Sequence, residues 1–292
     1  MAGQKLSPRI EAVLSQALDR AAGMSAPPLL AQAFAHAVFP AGQRIRPRLV
    51  LSVAKACGED RPSMTTAAAA AVELLHCASL VHDDMPCFDN AATRRGRPSV
   101  QAAFGVALAL LAGDGLIVLA FEAVALAAAS DPLRAVRLSL VLARAVGMPS
   151  GIVAGQAWES EPSPDLALYQ RAKTGALFAG ATMAGAVSAG WAAEPWATLG
   201  YRLGEAYQVA DDLRDVFGTA SEIGKPVGQD SALGRPNAVH LLGVEGAVQK
   251  LLLLVEEAAE SVPDCSGATA LRAEIRAQAD RFMPKDAARR AA

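Results

Sequence analysis

Long apolar runs separated by short polar joints dominate the hydrophobic pattern of the chain. Alanine and leucine prevail in these runs, and the alternating β-branched runs typical of strands are scarce. Joints that break helices lie at 23–28, 58–63, 94–99, 130–132, 159–165, 194–195 and 262–267. This pattern predicts an all-α protein of about ten or more helices. We expect a single domain over residues 1–292, because we find no convincing linker and no repeat of fixed period.

One apolar run, residues 104–130, is long enough to cross a bilayer. It contains Asp114 between two glycines and then Glu122, and each carboxylate would be costly in lipid. We therefore expect a buried helix of a large bundle and no transmembrane segment.

Composition and charge narrow the class of partner and the compartment. Hydrophobic residues make up 52% of the chain and charged residues 19%, which is ample material for a core. The net charge of -2 and the lack of long basic runs argue against a nucleic-acid partner or an anionic membrane surface. Four scattered cysteines without a Cys-x-x-Cys pair, and an opening without an apolar signal segment, favour a reducing cytoplasm.

Two clusters of aspartates interrupt these apolar stretches, HDDMPCFDN at 82–90 and DDLRD at 211–215. Their members are Asp83, Asp84 and Asp89 in the first cluster and Asp211, Asp212 and Asp215 in the second. On a helix Asp211 and Asp215 stack on one face, where like charges repel. Asp83 and Asp89 are six positions apart, so we expect Pro86 to break the regular winding and return them to a shared face. A counter-cation would relieve the repulsion in each cluster.

The chemistry of carboxylate oxygens points to magnesium. Mg²⁺ keeps several waters and prefers one or two carboxylates plus substrate phosphates to a full protein cage. Either cluster alone could be an ordinary helix terminus, where aspartates are common. Both clusters together, each associated with an apolar helix, favour two sparse sites whose metals bridge to a phosphate ligand.

Clusters of cationic residues accompany the aspartates. They are Arg44, Arg46 and Arg48 in GQRIRPR, Arg94, Arg95 and Arg97 in TRRGRPS, and Lys225 in the loop 218–236. Each cluster alone could be a solvated charged turn, with Gly96 ending one helix and Pro98 beginning the next. The loop is long for a connection inside a domain, which is typical of lids and binding loops. Together with metals, these cations would give a pocket of both charge signs, as a diphosphate requires.

These motifs, in their order along the chain, resemble the trans-isoprenyl diphosphate synthases, specifically the bacterial farnesyl and geranylgeranyl diphosphate synthases. The resemblance rests on GQRIRP, ELLHCASLVHDDMPCFDNAATRRGRPS, GQ at 155–156, KTG at 173–175, YQVADDLRD and GKPVGQDSALGRPNAVHLLG. It implies an isoprenoid-synthase-type helical bundle around a deep central cavity, in a homodimer, with the aspartate motifs facing each other at the mouth. The implied reaction is the Mg²⁺-dependent, head-to-tail condensation of isopentenyl diphosphate with dimethylallyl, geranyl or farnesyl diphosphate.

The resemblance also implies roles for individual residues. The six aspartates would hold three Mg²⁺ on the diphosphate of the allylic substrate, which Arg94, Lys173 and Lys225 would contact as well. Isopentenyl diphosphate would lie in a neighbouring basic pocket formed by Arg46, His76 and Arg95, with a contribution from position 43. Lys173 and Thr174, through main-chain or hydroxyl oxygens, and Gln208, through its amide oxygen, would steady the allylic cation.

The chain departs from the family pattern at three positions. Gln43 replaces a lysine and removes one charge from the isopentenyl pocket, Asn90 replaces a frequent aspartate, and Arg235 replaces the lysine of the late motif. Without the resemblance, His76 would be interpreted as a core histidine. The loss of the lysine at Gln43 is the one feature that favours a different class, a non-catalytic regulatory subunit of a partner synthase.

The expected cavity floor bears on the length of the product. Ala78, five positions before the first aspartate, and Ser79 are small, whereas family members with shorter products often carry an aromatic residue there. Each further five-carbon unit would gain about 3 to 4 kcal/mol by burial. This favours geranylgeranyl diphosphate as the product, with farnesyl diphosphate or a longer polyprenyl diphosphate as alternatives.

Two other helical enzyme classes fit less well. A terpene cyclase would normally replace the second aspartate motif and would lack the isopentenyl pocket. A di-iron carboxylate bundle needs paired Glu-x-x-His elements, and only one occurs, from Glu73 to His76.

Overall fold

The computed structural model describes residues 2–217 and 237–283, with side chains from residue 8 onward. The helices of this part of the chain are α1 (Ala2–Ala21), α2 (Pro28–Val38), α3 (Ile45–Ala56), α4 (Pro62–Asp83), α5 (Val100–Phe104), α6 (Val106–Ala127), α7 (Pro132–Val146), α8 (Ile152–Trp158), α9 (Leu166–Gln170), α10 (Ala176–Ser188), α11 (Ala197–Phe217), α12 (Ala238–Glu260), α13 (Ala268–Arg276) and α14 (Gln278–Phe282). A π-helix, Arg171–Gly175, joins α9 to α10, and a 3-10 turn, Glu194–Trp196, precedes α11. The predicted all-α architecture is confirmed.

Two very short strands interrupt the helices. Strands β1 (Thr93–Arg94) and β2 (Arg97–Pro98) pair in an antiparallel hairpin, with Arg94 opposite Arg97. The alternative interpretation, in which Gly96 ends one helix and Pro98 begins another, is therefore wrong.

Helix starts in the described residues follow local capping chemistry. Proline occupies the first position of α2, α4 and α7, where its missing N–H removes no helical hydrogen bond. The Asp131 carboxylate accepts a hydrogen bond from the backbone N–H of Arg134 at the start of α7. The Asn237 side chain does the same for Val239 at the start of α12. The breakers seen in the sequence thus mark real helix boundaries.

Helix α10 occupies the centre of the bundle, packed against α3, α4, α7 and α11. Nearly all of its residues are buried, as expected of a helix that is apolar all round. Small residues allow this close packing: a Cβ on Gly185 would lie 2.6 Å from the carbonyl oxygen of Val50 on α3. A Cβ on Gly200 of α11 would lie 2.3 Å from the Cα of Ala179. A larger side chain at either glycine would force the helices apart.

Helix α6 has an exposed apolar face, so the expectation of a buried helix is wrong for that face. Its exposed large side chains are Val106, Leu110, Leu111, Val118 and Leu126, and those of α7 are Leu133, Val136 and Leu140. By length and composition alone, three of the described helices, α4, α6 and α12, could cross a membrane. The apolar window of α4 is 78% buried inside the protein, whereas those of α6 and α12 are each 39% buried.

Candidate active site

A cavity of about 430 Å³ brings together residues from α3, α4, the β-hairpin, the π-helix and α11. The predicted site residues that line it are Gln43, Arg46, His76, Ser79, Asp83, Asp89, Arg94, Arg95, Lys173, Thr174, Gln208 and Asp211. Four other predicted residues, Ala78, Asp84, Asp212 and Asp215, are not in its lining. Lys225 and Arg235 lie outside the described residues.

The first aspartate cluster lies where α4 ends. The expected break in the regular winding takes the form of a helix end, because α4 stops at Asp83 and a turn follows. Pro86 accounts for the stop, since it disfavours helical geometry in the residue before it. The backbone N–H of Asp89 then donates to the carbonyl oxygen of Asp83 at 2.9 Å. The turn thereby places both carboxylates in the lining of one cavity.

Burial makes ionisation of Asp83 unfavourable. It raises the pKa of this carboxyl to about 6, although the nearby Lys173 ammonium opposes the rise and Asp89 adds to it. A divalent cation placed between Asp83 and Asp89 would stabilise both in their ionised forms.

The β-hairpin positions Arg94 against the buried aspartate of the first cluster. Arg95 and Gly96 form its two-residue turn with φ of 55° and 73°, as a type I′ turn requires. Arg94 donates from Nε to both oxygens of Asp84, at 3.0 and 3.2 Å, and from Nη2 to Oδ1 at 2.5 Å. Burial lowers the pKa of Arg94, but the hydrogen bonds to Asp84 outweigh this effect and raise it above its ordinary value. Asp84 thus fixes Arg94 at the cavity wall.

The three aspartates of the second cluster have different surroundings on α11. Asp211 lines the cavity and accepts from Arg214 Nη1 at 3.0 Å. Asp212 is 3% exposed and accepts from Gln208 Nε2 at 3.1 Å and from the backbone N–H of Ala238 at 2.7 Å. It therefore holds the first turn of α12 against α11. Its negative charge lies at the N-terminus of α12, where the helix dipole favours it. Asp215 is buried.

A basic pocket adjoins the aspartates. Arg46 Nη1 lies 3.4 Å from His76 Nε2, and the Arg46 guanidinium lies over the ring of Phe178, 4.4 Å from its centroid. Burial, and then the positive charge of Arg46, hold the pKa of His76 well below its usual value, so the imidazole is neutral near pH 7. The Arg46 Nε is buried and has no hydrogen-bond partner among the described residues. This leaves a buried donor beside a neutral imidazole.

The π-helix carries the residues expected to face an allylic cation. Thr174 Oγ1 donates to Gln208 Oε1 at 3.1 Å, and Gln208 in turn donates to Asp212. π-Helical turns occur frequently at functional sites because they re-aim side chains. Gly155 of α8 packs directly beneath this turn, since a Cβ on it would lie 2.4 Å from the backbone nitrogen of Lys173.

Of the two residues expected at the cavity floor, Ser79 faces the cavity and Ala78 is buried in the core behind it. Ser79 lines the cavity and its hydroxyl donates to the carbonyl oxygen of His76 at 2.9 Å. Ala78 is 1% exposed and belongs to the hydrophobic core. Of the two, Ser79 is the residue whose enlargement would reduce the cavity directly.

Several lining residues were not singled out from the sequence. They include Tyr169, Tyr207 and Arg214. The Arg214 guanidinium lies over the ring of Tyr207 at 5.1 Å, and the Tyr207 ring contacts that of Phe178 at 5.5 Å. Tyr207 and Arg214 stand inside the motif YQVADDLRD, so that motif could have indicated them. Glu159, whose carboxylate pairs with Lys173, lies outside the quoted motifs.

The arrangement agrees with comparisons to known proteins. A geranylgeranyl diphosphate synthase of Cereibacter sphaeroides is 54% identical over 282 residues, covering 97% of this chain and 98% of that protein. One of Rhodobacter capsulatus is 51% identical, covering 95% of this chain and 96% of that protein. The crystal structure of an FPP/GFPP synthase from Zymomonas mobilis has a TM-score of 0.77 at 32% identity, covering 97% and 100% of the two chains.

A second solved structure is a geranyltransferase from Helicobacter pylori, crystallised with magnesium and isoprenyl diphosphate. It has a TM-score of 0.77 at 27% identity and covers 94% of this chain and 98% of that one. The family model for polyprenyl synthetases matches residues 27–270. The chain therefore belongs to the polyprenyl synthetase family.

Proposed function

We propose that this protein is a Mg²⁺-dependent prenyltransferase that condenses isopentenyl diphosphate with allylic diphosphates to form geranylgeranyl diphosphate. The observation that carries the proposal is one cavity lined by carboxylates of both aspartate clusters and by several cations. The Cereibacter and Rhodobacter relatives are named geranylgeranyl diphosphate synthases and align over nearly the whole chain, which supports the product.

The donor set fits magnesium. Asp83, Asp89 and Asp211 present hard carboxylate oxygens to the same cavity. Within residues 2–217 and 237–283, no group of three or more His, Cys, Asp or Glu side chains could hold a metal ion by itself. These three aspartates would hold the expected three Mg²⁺ through few protein oxygens each, which would leave room for water and for the substrate diphosphate. Asp84 would act mainly by fixing Arg94, and Asp212 by fixing Gln208 and the start of α12.

The surrounding residues would bind and orient the two substrates. Bound Mg²⁺ would supply positive charge to the diphosphate as it leaves the allylic carbon. Arg94 and Lys173 would add hydrogen bonds to that leaving group, and their preorganised charge would stabilise it as its negative charge grows. Thr174 and Gln208 would offer oxygen atoms to the allylic cation.

Isopentenyl diphosphate would occupy the adjacent basic pocket. Arg46 would donate its unpartnered Nε–H there, beside the neutral His76 and Arg95, with Gln43 at the rim. The distance between the two pockets would hold the double bond near the cationic carbon, so that the new bond forms head to tail. A proton is then lost, and no side chain of the motifs is an evident base, which leaves the departing diphosphate as the acceptor.

A product assay tests this function. Purified protein would be incubated with Mg²⁺, isopentenyl diphosphate and, in turn, dimethylallyl, geranyl or farnesyl diphosphate, and the dephosphorylated products would be sized. We expect a twenty-carbon alcohol from each starter. A fifteen-carbon product, or one longer than twenty carbons, would replace the proposed product with one of the two alternatives. Folded protein that yields no product from any starter would favour a regulatory subunit.

We also propose that the protein is a homodimer in which a second copy covers the exposed face of α6 and α7. The apolar face carries acidic Asp114 and Glu122 on α6 and basic Arg137 and Arg144 on α7. Glu122, Arg137 and Arg144 make no ion pair with other described residues. A two-fold axis would place the acidic helix of each copy against the basic helix of the other, since such an interface is self-complementary. A second copy would also cover the exposed apolar side chains of α6 and α7, so that no membrane is needed to explain them.

Sedimentation of two matched variants tests the dimer. Leu140→Glu places a charge in the proposed interface, whereas Leu29→Glu places one at a similarly exposed leucine on α2. We expect the Leu140 variant to sediment as a monomer and the Leu29 variant as a dimer. A wild-type monomer, or a dimer that survives Leu140→Glu, would refute this interface.

The single domain and the cytoplasmic location are part of the same proposal. One hydrophobic core cluster includes residues from Ile10 on α1 to Phe282 on α14, which supports one domain over residues 1–292. All four cysteines are free thiols, which is compatible with a reducing compartment.

A further inference from the structure

The ammonium group of Lys173 is bound by a carboxylate at the edge of the cavity. Glu159 directly follows α8, and its Oε1 lies 2.5 Å from Nζ of Lys173. The same oxygen accepts a hydrogen bond from the Tyr169 hydroxyl at 2.7 Å, and Oε2 accepts one from Gln156 Nε2 at 2.8 Å. Three donors from α8, α9 and the π-helix therefore fix one carboxylate.

The ion pair is partly shielded and close to the first aspartate cluster. Only 18% of the Lys173 side chain and 22% of the Glu159 side chain are exposed. Both charges act on Asp83, since Lys173 lowers the pKa of that carboxyl and Glu159 raises it. Lys173 thus lies within the electrostatic field of the proposed metal site while its Nζ is bound to Glu159.

We propose that Glu159 is a positioning residue that holds Lys173 in the ligand-free protein and yields it to the diphosphate of the allylic substrate. This proposal rests on the function proposed above. A diphosphate offers several charged oxygens to an ammonium, whereas Glu159 offers a single charge already shared with Tyr169 and Gln156. Glu159 keeps those two partners after the exchange, so its carboxylate stays at the edge of the cavity and does not follow Lys173 inward.

If Lys173 must leave Glu159 to reach the diphosphate, the ion pair between Lys173 and Glu159 weakens diphosphate binding. Removing the Glu159 charge frees Lys173, so Glu159→Gln is expected to tighten binding of inorganic pyrophosphate by roughly two- to fivefold, the range of a partly exposed ion pair. Simple repulsion between Glu159 and the anion would also tighten binding. The two causes are separated by repeating the substitution in a Lys173→Met background, where only the repulsion remains.

Calorimetric titration with pyrophosphate in Mg²⁺ buffer would be carried out on the wild type, Glu159→Gln, Lys173→Met and the double variant. Glu161→Gln is the matched control, because it removes the same charge from an exposed side chain two positions away. We expect the gain in affinity from Glu159→Gln to disappear in the Lys173→Met background, and Glu161→Gln to match the wild type. An equal gain in both backgrounds, or no gain in either, would overturn the proposal.

A second measurement needs no substrate. Acylation of Lys173 by a succinimidyl ester, followed by mass spectrometry, reports how strongly the amine is engaged. Labelling should be faster in Glu159→Gln than in the wild type and unchanged in Glu161→Gln, and equal rates in all three would contradict the ion pair. A wild type that binds no pyrophosphate at all would instead count against the proposed function, while the labelling comparison would still test the pair.

Discussion

Replacing Asp83 with asparagine is expected to stabilise the metal-free protein near neutral pH and to abolish prenyl transfer. Burial disfavours the charged form of this carboxyl and raises its pKa to about 6, with Lys173 opposing the rise and Asp89 adding to it. Asparagine has nearly the same shape without the charge. The substitution should therefore remove a destabilising group that the protein retains for its chemistry.

The magnitude follows from the displaced pKa. Moving a carboxyl from its ordinary value near 3.9 to about 6 corresponds to ~3 kcal/mol once the group is fully ionised. The folded protein binds this proton more tightly than the unfolded chain, so the penalty is absent below about pH 4, grows through pH 6 and is then complete. Water reaches part of the Asp83 side chain, so ~3 kcal/mol is an upper bound. It corresponds to roughly 5 to 10 °C in melting temperature for a chain of this size.

Urea denaturation in a chelating buffer between pH 5 and pH 8 measures the effect. The stability of Asp83→Asn minus that of the wild type should rise with pH and level off above about pH 7. Asp264→Asn serves as the control, because the Asp264 side chain is fully exposed and should give no comparable trend. Adding Mg²⁺ with pyrophosphate should stabilise the wild type and leave Asp83→Asn nearly unchanged. The reasoning fails if the metal-free wild type equals or exceeds the variant in stability at pH 8.

Three further substitutions test other parts of the site. Gly155→Ala puts a methyl group 2.4 Å from the backbone nitrogen of Lys173, so urea denaturation should show a loss of about 1–3 kcal/mol, and unchanged stability would contradict this packing. Gln43→Lys adds a cation to the proposed isopentenyl pocket and should lower KM for isopentenyl diphosphate about two- to fivefold at constant kcat; an unchanged KM would place position 43 outside that pocket. Ser79→Phe fills the cavity wall and should shift the product from twenty toward fifteen carbons in a chain-length assay, whereas an unchanged product would place the floor elsewhere.

The helices were predictable because their signals are local. Apolar runs bounded by proline, glycine and capping side chains determine where each helix begins, and Asp131 illustrates such a cap. The convergence of the candidate site residues was predictable from the motifs, since residues as distant as Gln43 and Asp211 line one cavity. The order and spacing of the motifs carry that information, whereas hydrophobic periodicity alone does not.

The β-hairpin at 93–98 gave no comparable signal. Two-residue strands are too short to show alternation, and the turn uses Arg95 and Gly96 where Asn-Gly or Asp-Gly would have indicated a hairpin. The hydrogen bonds between Arg94 and the buried Asp84 add a tertiary contact to the hairpin. Sequence pattern does not report this contact, because Asp84 lies ten positions before Arg94.

Glu159 was missed for a related reason. It lies fourteen positions before Lys173, across the joint between α8 and α9, so no helical spacing links the two residues. The pair forms because Gly155 lets α8 pack against the π-helix that carries Lys173. In the same way, the apolar run of α6 indicated a helix correctly but could not indicate what covers each of its faces.

The ligand-free site contains two groups in unfavourable surroundings and a third whose ion pair we propose to break when substrate binds. Asp83 is a carboxylate in a place that disfavours its charge, Arg46 has a buried N–H without a partner among the described residues, and Lys173 is paired with Glu159. Each of these would be relieved or redirected by a different part of the proposed substrates: the metals, the isopentenyl diphosphate and the allylic diphosphate, respectively. Because burial of charged or unpaired polar groups opposes folding, a chain selected for stability alone would satisfy or replace Asp83 and the Arg46 N–H. Their presence together in one cavity is therefore an argument for function that is independent of the family to which the chain belongs.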